Sequence, residues 1–234
     1  MADRNRYFES FAYRSLFKEY FIAGAKWTSA PKPQLTDDLF HLDFKPSEYG
    51  DEDIRFVITE FEPTFDAADF VRCGKDIFGQ KSHVTNELGI QWLQRHLGDS
   101  YKVHTIQSKS PAAMHIDTTL MPLSPGKVLV NPDWVDMKEI KRFFKGWDII
   151  IAPSAVKGNY RSSSIVSSWV NMNILMLDEK RVIVEKNQYP MIQCLKDNGF
   201  HPIACPFENY YDFYGSFHCA TLDIRRRGTL KSYF

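Results

Sequence analysis

One order of secondary structure recurs along this chain, and it constrains the fold more than any other feature. The order is strand, strand, helix, strand, and each round takes roughly 40 to 55 residues. Hydrophobic periodicity predicts three such rounds. Their elements fall at 54–60, 70–73, 76–78, 84–97 (helix) and 101–106; at 115–121, 127–131, 137–144 (helix) and 147–152; and at 170–177, 181–185, 190–197 (helix) and 201–205. Residues 217–223 read as the first strand of a fourth round.

Three copies of one unit predict an α/β repeat fold in which neighbouring units share a core. Polar residues at the strand ends of different units would then converge at the centre. Two segments precede the repeat. Residues 3–23 have aromatic residues at helical spacing and predict one amphipathic helix, and the polar segment 28–53 predicts a long loop that wraps the surface or covers a site.

Composition excludes several classes of protein. The 234 residues suffice for one domain or two small ones. Lys+Arg and Asp+Glu both number 29, so a general affinity for nucleic acid or for an anionic membrane is not expected. The four cysteines form no CxxC pair, which argues against a zinc ribbon. Their scattered positions in a chain of this length favour a reducing compartment over a disulfide framework. No signal peptide or membrane-spanning stretch is visible, so a cytoplasmic protein is expected.

Three stretches carry residues with possible chemistry. His115 and Asp117 would share one face of the predicted strand 115–121, although a hydrogen-bonded histidine on a half-buried strand is the commoner case. Cys219 follows a turn of small residues, where a thiolate could be reactive, but an inert buried cysteine is the commoner case. Asp66 and Asp69 lie in an apolar stretch and would either be loop or cap residues, or orient a histidine or bind a cation. The histidines lack ligand-like spacing, so no metal site is expected.

Several longer stretches resemble the glycine amidinotransferase family of the pentein superfamily. They are TEFEPTFDAADF from Thr59, VTNELGIQWLQRHL from Val84, MHIDTT from Met114, NMNILMLDEKRV from Asn171 and FHCATLDIRRRGTLKSYF from Phe217. The resemblance covers nearly the whole chain and corresponds to the C-terminal two-thirds of the family. It implies a pentein-type α/β propeller with the site at its centre, here with about three of five units. Residues 1–234 are accordingly expected to form one domain, truncated at its N-terminus.

The resemblance also implies a role for individual residues. Cys219 becomes the nucleophile, His115 the general acid and base, and Asp66 the carboxylate that orients His115. Asp117 and Ser167 are implied to bind substrate. The reaction would move the amidino group of L-arginine to an amine through a covalent amidino-cysteine and release ornithine. No metal or other cofactor is implied. The expected partners are small molecules, with no nucleic acid or membrane, and a homodimer is the family expectation.

The chain departs from the family pattern near the expected substrate pocket. Trp134 follows Asn131-Pro132-Asp133 where the family has an arginine, and Val166-Ser167-Ser168-Trp169 replaces Ser-Ser-Lys-Trp. Tyr214 and Ser216 stand where glycines are expected. These changes predict an acceptor other than glycine, for specialised biosynthesis. Two alternatives remain open: a guanidino-hydrolase of the same superfamily, and a non-catalytic fragment that serves as a binding or structural module.

Overall fold

Three small sheets with the same topology form the framework of this protein. The computed structural model describes residues 2–45, 56–157 and 167–234. The first sheet contains β1 (Phe70–Cys73), β2 (Asp76–Gln80) and β3 (Lys102–Ile106); the second contains β4 (Leu120–Ser124), β5 (Lys127–Val130) and β6 (Asp148–Ile151); the third contains β7 (Leu175–Met176), β8 (Arg181–Glu185) and β9 (His201–Cys205). In each, the first two strands pair antiparallel and the second and third pair parallel. The predicted repeat of strand, strand, helix, strand is therefore confirmed.

A helix makes each parallel crossover, and the sequence marks where it begins. These helices are α3 (Glu87–Leu97), α4 (Met137–Phe143) and α5 (Tyr189–Asp197). Asn86 caps α3 by accepting from the N–H of Gly89, Asp136 caps α4 by accepting from the N–H of Lys138, and α5 has Pro190 in its first turn. Among the described residues, no helix is long and apolar enough to cross a bilayer.

Neighbouring sheets share their cores, as the repeat predicts. One cluster joins Phe78 of the first sheet to Leu120 and Val130 of the second. Another joins Leu129 of the second sheet to Val182 of the third. All five of these side chains are fully buried. Each sheet alone is too small to bury its apolar face, so the stability of each unit depends on the next.

The predicted helix 3–23 is interrupted in the structure. A 3₁₀ turn (Arg4–Arg6) is followed by α1 (Glu9–Ala12) and α2 (Arg14–Ile22), and no side chain of these three elements is buried. The strand predicted at 54–60 is wrong where it can be seen: only Ile58 forms a bridge, with Phe40, and residues 54 and 55 lie outside the described residues.

Three predicted strands begin in 3₁₀ turns or do not form. Residues 115–121 contain the turn Ile116–Thr118 before β4, and residues 170–177 contain the turn Val170–Met172 before the short β7. Residues 217–223 form a turn without a strand. In the turn before β4 the N–H of Thr119 donates to the carbonyl of Ile116, so the backbone there is satisfied within the turn rather than by a ladder partner. His115 and Asp117 therefore do not share a strand face.

The C-terminal residues return to the first sheet. The N–H of Lys75 donates to the carbonyl of Lys231, and the Ser232 hydroxyl donates to Asp76. The ring of Phe234 stacks on Trp147 with centroids 5.0 Å apart. Gly74 makes the approach possible, because it has φ +66° and a Cβ there would lie 2.0 Å from the Lys231 oxygen.

Candidate active site

The turns that precede the first strand of each sheet hold the candidate site. Asp66 begins the turn Ala67–Asp69, His115 begins Ile116–Thr118, which contains Asp117, and Asn173 ends Val170–Met172. The loop that carries Cys219 packs against them, because the backbone N–H of Cys219 donates to Asn173 Oδ1 over 3.1 Å. Three units and the C-terminal segment thus contribute to one cluster.

Asp66 and His115 form one half of this cluster. His115 Nε2 lies 3.3 Å from Asp66 Oδ2, and Arg6 Nη1 lies 2.6 Å from the same oxygen. Burial by itself would raise the pKa of Asp66, but the hydrogen bond to His115 and the charge of Arg6 outweigh it and lower the pKa. Burial would lower the pKa of His115, but the hydrogen bond to Asp66 and the nearby charge of Asp117 raise it. His115 is thereby biased toward its protonated form.

Asp117 is the centre of the other half. Its Oδ2 accepts from Asn173 Nδ2 at 2.7 Å, contacts His218 Nδ1 at 3.0 Å and lies 3.3 Å from Cys219 Sγ. Burial opposes ionisation of this carboxyl, but the hydrogen bond and charge of His218 lower its pKa. Within the part of the chain that the structure describes, all three contacts reach Oδ2, which leaves Oδ1 to accept from a bound cation.

The Cys219 thiol is held in its protonated form. The residue is exposed as a whole, yet its sulfur lies against Asp117 and Asn173. Burial of the sulfur and the charge of Asp117 raise the pKa of the thiol to about 12. Gly215 allows this placement, since a Cβ there would lie 2.6 Å from the sulfur. A thiolate at this position requires an incoming positive charge to offset Asp117.

Asp69 is a third buried carboxyl beside the cluster. It accepts hydrogen bonds from Gln80, Ser82 and Thr85, and its side chain is fully buried. Burial raises its pKa to about 6, against the effect of these three donors. Over the described ranges, no group of three or more His, Cys, Asp or Glu residues could hold a metal ion.

The structure brings four of the five predicted site residues together and leaves one at the side. Asp66 contacts His115, and Asp117 contacts Cys219. Ser167 instead accepts a hydrogen bond from the N–H of Trp169 at the start of the turn Val170–Met172.

Sequence reasoning missed Arg6 and Asn173. Nothing in the N-terminal sequence indicates that Arg6 reaches a carboxylate sixty positions away. Asn173 had a usable signal, because it precedes the first strand of the third round much as Asp117 precedes that of the second. Trp134, which stands where the resemblance expects an arginine, lies in the core shared by the second and third sheets and is 8% exposed.

Comparison with known proteins finds amidinotransferases. The L-arginine:L-lysine amidinotransferase of Pseudomonas savastanoi pv. phaseolicola is 55% identical over 233 residues, covering 100% of this chain and 64% of that protein. The mitochondrial glycine amidinotransferase of Xenopus laevis is 47% identical over 240 residues, covering 100% and 57%. Among solved structures, the amidinotransferase SxtG of Microseira wollei, from the saxitoxin biosynthetic pathway, has 65% identity and a TM-score of 0.96, covering 100% and 65%.

The chain therefore spans less than two thirds of the length of these relatives. No protein-family model matches it.

Proposed function

We propose that this chain, which is similar to amidinotransferases along its whole length, carries a cysteine site that moves the amidino group of arginine to an amine acceptor. The observation that carries the proposal is the 3.3 Å contact between Cys219 Sγ and Asp117 Oδ2, beside the hydrogen-bonded pair His115 and Asp66. A nucleophile, a carboxylate for a cation and an oriented histidine are the parts that this chemistry needs.

The guanidinium of arginine is a planar cation with N–H donors in a fixed fork, which carboxylates bind well. Asp117 Oδ1 would accept from it and hold its central carbon near the Cys219 sulfur. Burial and the charge of Asp117 hold the pKa of the thiol at about 12, and the same cation would offset that charge. Binding of the substrate would therefore favour transfer of the thiol proton to solvent, which reaches the exposed Cys219, at the moment the nucleophile is needed.

The transfer takes two steps. The Cys219 thiolate forms a bond to the guanidinium carbon, the bond from that carbon to the ornithine nitrogen breaks, and His115 supplies the proton that the departing amine takes up. An acceptor amine then attacks the amidino-cysteine, gives a proton to His115 and frees the thiolate. Asp66 keeps the imidazole of His115 oriented through the whole cycle.

We propose an acceptor other than glycine. Trp134 stands where the resemblance expects an arginine, and its side chain is buried in the core. This residue therefore offers no positive charge to the carboxylate of a small amino acid. Ser167 is proposed to bind substrate, since its hydroxyl accepts from the N–H of Trp169 and can still donate its own hydrogen.

Ornithine release tests the proposal. The full chain is incubated with arginine and a panel of amines that includes glycine and lysine, and Cys219→Ala is compared with Cys205→Ala, a partly buried cysteine of β9. We expect ornithine that depends on the acceptor, abolished in Cys219→Ala and retained in Cys205→Ala.

The other outcomes are also informative. Citrulline without any need for an amine would replace the proposal with a guanidino-hydrolase. No turnover of arginine either by this chain or by a form extended upstream would leave the non-catalytic module as the function. If glycine proved to be the best acceptor, only the proposed choice of acceptor would be contradicted.

We also propose a cytoplasmic location, because all four cysteines are free thiols. Assembly as a homodimer remains a prediction, which sedimentation of the full chain would test.

A further inference from the structure

Asn173 holds the Cys219 loop and the Asp117 carboxylate at once. Its Oδ1 accepts from the backbone N–H groups of Ser216 and Cys219, both at 3.1 Å. Its Nδ2 donates to Asp117 Oδ2 at 2.7 Å and to Cys219 Sγ at 3.0 Å. The residue is 3% exposed. A primary amide has two acceptor lone pairs and two donor hydrogens, so every hydrogen-bonding group of this side chain is used.

The orientation of the amide is determined by its neighbours. Backbone N–H groups can only donate, so the atom that faces Ser216 and Cys219 must be the oxygen. The ionised Asp117 carboxylate can only accept, so the atom that faces it must be the nitrogen. An aspartate at position 173 would place a carboxylate oxygen, which only accepts, against the Asp117 carboxylate, which also only accepts. The site therefore requires the amide chemistry of asparagine in particular.

We propose that Asn173 is a positioning residue that places the Cys219 sulfur beside Asp117 and favours its ionised form through the Nδ2–H···Sγ hydrogen bond. The two backbone hydrogen bonds fix where the loop lies, and the two donated bonds fix the sulfur relative to the carboxylate. Because a hydrogen bond to sulfur strengthens when the sulfur is charged, Asn173 partly offsets the repulsion that Asp117 exerts on a thiolate. The catalytic role of Cys219 in this inference rests on the proposed function, whereas the hydrogen-bond geometry of Asn173 does not depend on it.

Alkylation of the resting thiol tests this role without any turnover. The rate of reaction of Cys219 with iodoacetamide, in which the thiolate displaces iodide, is measured by peptide mass spectrometry between pH 7 and pH 10. Asn173→Asp keeps the shape, removes the donors and adds a negative charge beside the sulfur; Asn173→Ser, which adds no charge, separates the two effects. Asn171→Ala is the matched control, because Asn171 is equally buried in the same turn but donates to the carbonyl of Pro153.

We expect Asn173→Asp to react about three- to tenfold more slowly at each pH, which corresponds to a rise of about one to two units in the thiol pKa after allowance for the greater nucleophilicity of a more basic thiolate. Asn171→Ala should react at the wild-type rate. If Asn173→Asp shows no cooperative unfolding in urea, Asn173→Ser replaces it. Its hydroxyl keeps one donor, and an intermediate reduction is expected.

An unchanged or faster rate in a folded Asn173 variant would overturn the inference, and so would an equal slowing in Asn171→Ala. These results do not depend on amidino transfer. If the wild-type chain does not release ornithine but the alkylation rates differ as expected, the proposed function fails and the positioning role of Asn173 stands.

Discussion

Buried carboxyl groups give the candidate site its character at the scale of single residues. Asp66, Asp69 and Asp117 are all at most 4% exposed, and each is surrounded by hydrogen-bond donors. Their pKa values nevertheless shift in different directions. Asp66 and Asp117 have cationic partners that lower their pKa values, whereas the hydrogen-bonding partners of Asp69 are neutral, and burial raises its pKa to about 6.

Asp69→Asn should change how stability depends on pH. In the wild type, the unfolded chain ionises Asp69 near pH 3.8 while the folded chain keeps the proton until about pH 6. The folded state binds more protons in this window, so the free energy of unfolding falls as the pH rises, by roughly 3 kcal/mol in all. Asp69→Asn removes this loss. Urea unfolding of both proteins at pH 4, 5, 6 and 7 measures it.

The lost hydrogen bonds of Asp69→Asn shift its stability by a similar amount at every pH, so only the difference between the two curves matters. Contributions of Asp66 and Asp117 largely cancel in that difference. Parallel curves from pH 4 to pH 7 would show that Asp69 does not titrate in this window.

At the scale of elements, the C-terminal segment links the cysteine loop to the first sheet. From Leu222 to Leu230 the residues are exposed and without regular structure, and beyond them the chain is anchored again at Lys231, Ser232 and Phe234. The ring of Phe234 lies among Phe78, Phe144 and Trp147. The anchor therefore covers the core that the first two sheets share.

Phe234→Ala should lower the free energy of unfolding by about 1–3 kcal/mol, less than for a fully buried phenylalanine, since 45% of Phe234 is exposed. Leu230→Ala is the matched control, because Leu230 lies in the same segment and is 47% exposed. Its effect should stay within about 0.5 kcal/mol. Thermal or urea unfolding measures both, and equal effects would argue that the ring does not contribute to the core.

At the scale of the molecule, the shared cores are the reason to propose that the chain folds as one domain. The second sheet contributes to both clusters: Leu120 and Val130 face the first sheet, and Leu129 faces the third. Because strand residues alternate between faces, β5 buries one face against each neighbour. Loss of the second sheet would expose the apolar faces of both others.

Leu129→Ala should therefore destabilise the whole chain by about 2–5 kcal/mol and leave unfolding a single transition. Tryptophan fluorescence, which reports on Trp92 in α3 and on Trp169 in the shared core, should coincide with far-UV circular dichroism. Leu42→Ala, at a residue 74% exposed, should change little. Separate transitions by the two methods would mean that the units unfold independently.

The sequence by itself determined the repeated unit, its crossover helices and the shared cores. Apolar periodicity and helix caps are local signals. They predict the folded elements correctly because burial in the core stabilises the same pattern that local preference favours. The resemblance to known amidinotransferases also depended on short stretches around Asp66, His115 and Cys219. These motifs can be recognised from the sequence alone.

Only the tertiary structure decided which polar residues meet. The turns at Ile116–Thr118 and Val170–Met172 replaced the first residues of two predicted strands, because the 3₁₀ hydrogen bonds there satisfy the backbone without a ladder partner. Arg6 reaches Asp66, and Asn173 joins Asp117 to Cys219, across separations that no local pattern encodes. Such contacts follow from how three units pack around one point, and that packing is a property of the whole chain.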